Sequence, residues 1–307
     1  MSRKHRLTPG PWSSLATPPA ELRLDTTLAC GQSFRWKLTG ESQWTCALEG
    51  RLISLKQTAD DVLFRTYAVT EVKAAGAVDD VRSQLRDYFQ LDVDLASLYV
   101  KWNEDKNFRE KSKRFTGIRM LRQDPVENAF SFICTSNNNI ARITLMIDKL
   151  CERFGQPVGI PPSALTGDYI FYSFPTVTTL ARTEVEEELR ALGFGYRAKY
   201  CAGAARYILK NHSEDWLKSL RELPYEEAKT ELLKLDGVGP KVADCILLMS
   251  LDKPGAIPVD THVWQIAKRD YQLQALTSKT LTPKNYEAIG ELFRSNFGDY
   301  AGWAHSV

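Results

Sequence analysis

The chain has no excess of charge of one sign: 40 Lys and Arg against 38 Asp and Glu leave a formal net charge of +2 over 307 residues. Any grip on a polyanion must come from where the basic residues stand, not from their number. No apolar run approaches the roughly 20 residues needed to cross a bilayer, so no membrane partner is expected. Its six cysteines (Cys30, Cys46, Cys134, Cys151, Cys201 and Cys245) form no CxxC pair and no zinc spacing. That absence reads as a reduced, intracellular chain without a disulfide framework. What remains is an ordinary globular composition, 43% hydrophobic and 25% charged, long enough for one large or two to three small domains.

Three textures succeed one another. Residues 1–20 contain Arg3, Lys4 and Arg6, no acid, and Pro9, Pro11, Pro18 and Pro19. They read as a flexible tail, an organelle address being the other reading. Residues 21–123 hold short runs rich in β-formers, GQSFRWKL, SQWTCALEG, RLISLKQ and VLFRTYAV, separated by turn residues. They predict an antiparallel sheet with the helix Val81–Phe89 packed on it, then further helix through LDVDLASLYVKW and over Asn107–Phe115. From Asp124 to Val307 the pattern is almost wholly helical. Asp124-Pro125-Val126-Glu127 is a strong helix start. The helix it opens runs into Ser136-Asn137-Asn138-Asn139, followed by a stripe of Ile140, Ile143, Ile147, Leu150 and Phe154 that Gly155 ends. Thr183-Glu184-Val185-Glu186 reads as a capping box. The expected fold is α+β: an N-terminal antiparallel sheet domain, then two mainly helical subdomains bracketing a cleft.

The stretch Leu232–Tyr271 organises the rest. Two helices, the first pair of a hairpin over 225–250, meet at Leu235-Asp236-Gly237-Val238-Gly239. Gly237 and Gly239 permit a tight turn and a close backbone approach, and Pro240 suits a first helical turn. The free N–H groups of such a turn form a site for a phosphate. Lys241 stands at the positive end of the new helix, where a cation is disfavoured and a neutral amine, a nucleophile, is favoured. Asp260 stands where an N-cap belongs, before the helix Thr261–Arg269. A lone lysine or aspartate in either place is usually a solvated charge or a cap; the pair behind one hairpin is far rarer.

LDGVGPKVADC with IPVDTHV resembles the helix-hairpin-helix, Gly/Pro-rich, aspartate signature of DNA glycosylases, and within them the 8-oxoguanine DNA glycosylase family. FSFICTSNNNIARIT, GQSFRW, LGFGYRA and GDYAGWAHSV follow the same family pattern, so the resemblance covers about nine-tenths of the chain. The closely spaced cysteines of the superfamily's iron–sulfur members are absent. The resemblance implies base excision from duplex DNA holding an oxidised purine opposite cytosine, followed by strand nicking, with no catalytic cofactor. It implies Lys241 as nucleophile and Asp260 as its charged partner. Gly31, Cys245 and His305 would form the base pocket, Gly31 through its carbonyl. Asn137 would fill the gap left by the extruded nucleotide, with Arg142 and Arg197 on the orphaned cytosine and Tyr196 as the wedge between bases. Gly237, Gly239 and His262 would meet the DNA backbone. The carbonyls of Leu233, Leu235 and Val238 would hold a structural cation. A monomeric enzyme of the nucleus, with mitochondria as a second site, completes that expectation. His305 departs from the family's glutamine, and the family's stacking phenylalanine lies beyond Val307. The alternatives are a glycosylase for another damaged base and a DNA-binding hairpin protein with little activity. A mere binder has no need of Lys241 with Asp260.

Overall fold

The computed structural model describes residues 6–68, 75–163, 165–271 and 281–307. Its first half is an antiparallel sheet. In chain order come β1 (Thr8–Pro9), β2 (Ser13–Ser14), α1 (Leu24–Thr27), β3 (Lys37–Gly40), β4 (Gln43–Leu48), β5 (Arg51–Gln57), β6 (Val62–Ala68) and α2 (Ala75–Tyr88). The strand order is β1-β6-β5-β4-β3, with β2 also on β6. Period-2 alternation explains its core: Cys46 and Leu48, Ile53 and Leu55, and Val62 and Phe64 share a buried cluster with Val81, Leu85 and Phe89 from α2 and the residue after it.

Two expectations are corrected here. Residues 1–20 are not a free tail over their described part, since Thr8 pairs with Ala68 and Ser13 with Phe64. Leu15 is only 1% exposed, and Asp61 accepts from Ser14 Oγ at 2.5 Å and Thr17 N at 2.8 Å. Prolines are compatible with pairing along one edge, so proline content there marked an edge strand and not disorder. The run GQSFRWKL is strand only from Lys37 onward. Before it, Phe34 enters the helical core, Trp36 enters the sheet core, and Arg35 forms a buried ion pair with Glu127. The segment is a stitch between two cores.

The helices are α3 (Leu95–Trp102), α4 (Lys106–Ser112), α5 (Pro125–Ile133), α6 (Ile140–Phe154), α7 (Val177–Leu180), α8 (Val185–Ala191), α9 (Arg197–Asn211), α10 (Trp216–Ser219), α11 (Tyr225–Leu232), α12 (Pro240–Ser250), α13 (Thr261–Arg269), α14 (Pro283–Phe297) and α15 (Ala301–Ala304). A small hairpin, β7 (Pro157–Gly159) with β8 (Phe171–Tyr172), interrupts the helical half. Asp94, Asp105, Asp124, Asn139 and Asp260 each cap a helix by accepting from its first-turn amides. The Thr183 capping box does not form: Glu184 is the N-cap without a side-chain bond, and Glu186 turns instead to Arg190 at 2.9 Å and Arg206 at 3.4 Å. Within residues 21–123, Leu95, Tyr99, Trp102 and Phe108 join the helical core, and Trp102 Nε1 donates to the Phe297 carbonyl at 3.2 Å. Their helical stripe finds its apolar partners on α14 rather than on the sheet. Among the described residues no helix is long and apolar enough to cross a membrane.

Candidate active site

The hairpin between α11 and α12 is built by close approach. Gly237 has φ +79°, and a Cβ on it would lie 2.7 Å from Cβ of Tyr200 on α9. Only glycine satisfies both demands. Val238 N donates to the Leu235 carbonyl at 3.1 Å, closing the turn. Gly239 is the N-cap of α12, with Pro240 following it. Among the described residues no side chain caps that helix, which leaves its leading amides for a ligand. Leu233 and Leu235 stand in this same loop.

A cleft of about 930 Å³ opens beside the hairpin, lined among others by Gly31, Phe132, Asn137, Lys241, Asp260 and His262. Lys241 Nζ stands 5.4 Å from the centre of the Phe132 ring. Asp260 Oδ1 accepts from the amides of both His262 and Val263 at 2.9 Å, leaving Oδ2 free of those bonds. A lysine and a carboxylate, 19 residues apart in sequence, thus line one cleft. Gly31 adopts φ +88° in the lining of the same cleft, where a Cβ would lie 3.2 Å from Ile140 Cδ1. Gln32 fixes that wall by donating to the Arg119 carbonyl at 2.8 Å and accepting from Leu121 N at 2.9 Å.

Cys245 and His305 do not contribute to the open wall of this cleft. Cys245 is 2% exposed, and burial pushes its thiol up to about 11, although the neighbouring Lys241 pulls the other way. His305 lies within electrostatic reach of both catalytic candidates. Burial pushes its imidazole down to about 4, with Asp260 opposing and Lys241 assisting. Its Nδ1 is shielded from solvent and has no hydrogen-bond partner among the described residues. The ring is therefore neutral at neutral pH and holds one polar atom unsatisfied.

The three asparagines divide their work. Asn138 Nδ2 donates to the Cys134 carbonyl at 3.0 Å, and Asn139 accepts from Arg142 N at 3.0 Å as the cap of α6. Asn137 sits at φ +48° with its side chain exposed on the cleft, a backbone conformation asparagine tolerates. Arg142 and His262 are exposed beside it. Tyr196 is 46% exposed and donates to the Ser136 carbonyl at 3.0 Å. Arg197 is the exception to its expected exposure. It is 3% exposed, lies 4.5 Å from the Tyr196 ring centre, and donates to the carbonyls of Ser136 and Asn137. A planar fork of donors is what that carbonyl-rich turn requires, so Arg197 holds the turn that carries Asn137. Sequence reasoning passed over Phe132, Gln32 and Tyr200. Phe132 is hidden in an apolar run, Gln32 stands within GQSFRW with only Gly31 given a role there, and no local pattern marks Tyr200.

This arrangement, a hairpin with open amides, a lysine at the following helix start and a capping aspartate across the cleft, defines a helix-hairpin-helix base-excision protein. Sequence models agree: residues 14–128 match the N-terminal domain of 8-oxoguanine DNA glycosylase, and residues 130–291 match the HhH-GPD superfamily of base excision DNA repair proteins. The N-glycosylase/DNA lyase OGG1 of Arabidopsis thaliana is 41% identical over 99% of this chain and 80% of its own. The N-glycosylase/DNA lyase of Saccharomyces cerevisiae is 37% identical over 96% and 85%. The Clostridium acetobutylicum 8-oxoguanine glycosylase/lyase, solved with double-stranded DNA containing cytosine opposite 8-oxoguanine, superposes with a TM-score of 0.77 at 28% identity, covering 93% of this chain and 89% of that one. The chain belongs to the 8-oxoguanine DNA glycosylase family.

Proposed function

We infer that this protein is a bifunctional DNA N-glycosylase and abasic-site lyase of base-excision repair, acting on 8-oxoguanine opposite cytosine in duplex DNA. The observation that carries this reading is the shared cleft of Lys241 and Asp260 behind a phosphate-binding hairpin. The lesion nucleotide leaves the stack for the cleft. The Lys241 amine forms a bond to C1′ of the sugar as the bond from C1′ to the base breaks, and the oxidised purine departs with the bonding electrons. Asp260, ionised, offsets the positive charge that develops on the sugar. Loss of a proton from nitrogen and opening of the sugar give an imine at Lys241. The imine acidifies the hydrogen at C2′, whose removal expels the 3′ phosphate by β-elimination.

Around that step we assign the Gly31 carbonyl, Cys245 and His305 to the base, and Asn137 with Tyr196 to the space the base vacates. Arg142 and, once released from Ser136 and Asn137, Arg197 meet the unpaired cytosine, whose acceptors suit a guanidinium. The amides at Gly237 and Gly239 and the imidazole of His262 grip phosphates. The carbonyls of Leu233, Leu235 and Val238 are hard oxygen donors in one turn, a set suited to a structural cation that bridges hairpin and phosphate. The working form is a monomer on duplex DNA. We propose the nucleus as its compartment, with mitochondria as a second site.

Borohydride reduction of a reacting mixture tests the reading directly. A duplex with one 8-oxoguanine opposite cytosine becomes covalently joined to the wild-type chain and not to Lys241→Gln. An adduct that persists in Lys241→Gln, or no adduct with wild type on either the lesion or an abasic site, overturns it.

A further inference from the structure

The position of Asp260 relative to Lys241 depends on a connection, Leu251–Val259, that has no regular structure. Three helices, α11, α12 and α14, meet on one buried carboxylate beside it. Asp244 lies three residues after Lys241 on α12 and is 0% exposed. It accepts from Tyr225 Oη at 2.6 Å and Lys229 Nζ at 3.1 Å, both on α11, and from Tyr286 Oη on α14. Lys229 also donates to Tyr225 Oη at 2.8 Å. The Tyr286 hydroxyl has a single proton, which goes to the carboxylate. Its lone pair then takes the N–H of Val259, 3.3 Å away. Val259 is the residue before Asp260. A chain of two hydrogen bonds therefore runs from the helix that carries the nucleophile to the backbone that carries its partner.

A buried carboxylate is held at a desolvation penalty that a hydrophobic residue would avoid. Burial lifts Asp244 above the ordinary carboxylate range, against the pull of Lys229 and the two phenols. Packing alone does not call for such a group: Ile257 and Val259 are each 1% exposed and Ala256 is 0% exposed, so the connection is already anchored by apolar contact. What apolar contact does not fix is register and orientation, which directional bonds do fix.

We propose that Tyr286, oriented by Asp244, is a positioning residue that sets the Asp260 carboxylate against Lys241 for base release. This role rests on Lys241 and Asp260 being the reacting pair. The test uses the full chain in excess over duplex, and reads two steps separately: release of 8-oxoguanine, and nicking of a pre-formed abasic site. Nicking needs the Lys241 amine but no stabilisation of a sugar cation. Tyr286→Phe keeps the ring and removes the hydroxyl. Base release is expected to slow by about tenfold to hundredfold, the scale of a small misplacement of reacting groups, while abasic-site nicking and duplex affinity stay close to wild type. Asp244→Asn, which keeps the shape and weakens the acceptor, shifts the same step in the same direction. In an Asp260→Asn background Tyr286→Phe adds little, because both changes act through one carboxylate.

Wild-type base release in Tyr286→Phe overturns the proposal. So does a parallel fall in both steps that tracks the folded fraction, or a full multiplicative loss on top of Asp260→Asn. Base release that survives in Lys241→Gln sinks the reacting pair itself, and shows independently of what Tyr286→Phe does.

Discussion

His305 shows how far one side chain can be read from its surroundings. An imidazole free in solution titrates near 6.5, and here burial holds it at about 4. Between those values the unfolded chain binds a proton that the folded chain refuses. Stability is therefore complete above pH 6.5 and is lost as pH falls toward 4, by at most about 1.4 kcal/mol per unit. His305→Gln removes this titration. Urea unfolding of the two proteins across pH 4–7 is expected to show a shallower acid slope for the variant. An equal slope would place the imidazole in contact with water. Arg197 illustrates the opposite difficulty. Its motif was legible, but its burial under the Ser136–Asn139 turn depends on carbonyls 60 residues away, which no local pattern encodes.

At the scale of elements, the hairpin and α9 are one unit. Gly237 is pressed on Tyr200, a Cβ on Gly203 would lie 2.2 Å from Asp236 Oδ2, and Tyr200 packs edge-on to Tyr196 at 5.6 Å. The turn we assign to phosphate and the ring we assign as a wedge are thus tied through two packed side chains. Gly237→Ala adds a methyl group at a left-handed φ and against a ring, which is expected to cost about 1–3 kcal/mol. It should also weaken duplex binding measured by anisotropy. Adding Tyr200→Ala relieves the contact and recovers part of both losses. Loss of affinity with unchanged urea stability would mean that the turn moves independently of α9. The glycine turn itself was legible because φ and proline placement are local. Its docking on α9 was not, since the partner glycine lies 34 residues earlier in the chain.

For the whole molecule, the ion pair of Arg35 with Glu127 joins the residues leading into the sheet to the first helix of the site, with side chains 7% and 12% exposed. Arg35→Met leaves Glu127 buried without its partner, an expected loss of about 3–5 kcal/mol. Because the pair bridges both cores, calorimetry is expected to show one transition displaced downward. Two separated transitions would mean that the cores unfold independently. Arg35→Met with Glu127→Leu recovers much of the loss. The sequence by itself determined the class of elements, the hairpin, its lysine and its aspartate, because helix caps, glycine turns and alternation act within a few residues. The tertiary structure alone decided that the proline-rich start pairs with β6, that α3 and α4 belong to the helical core, and that Cys245 and His305 stand off the open cleft. It also decided that Asp244 and Tyr286 meet beside Asp260. Each of these is a contact between residues far apart in the chain, fixed by which apolar faces and polar groups remain to be satisfied once the local elements have formed.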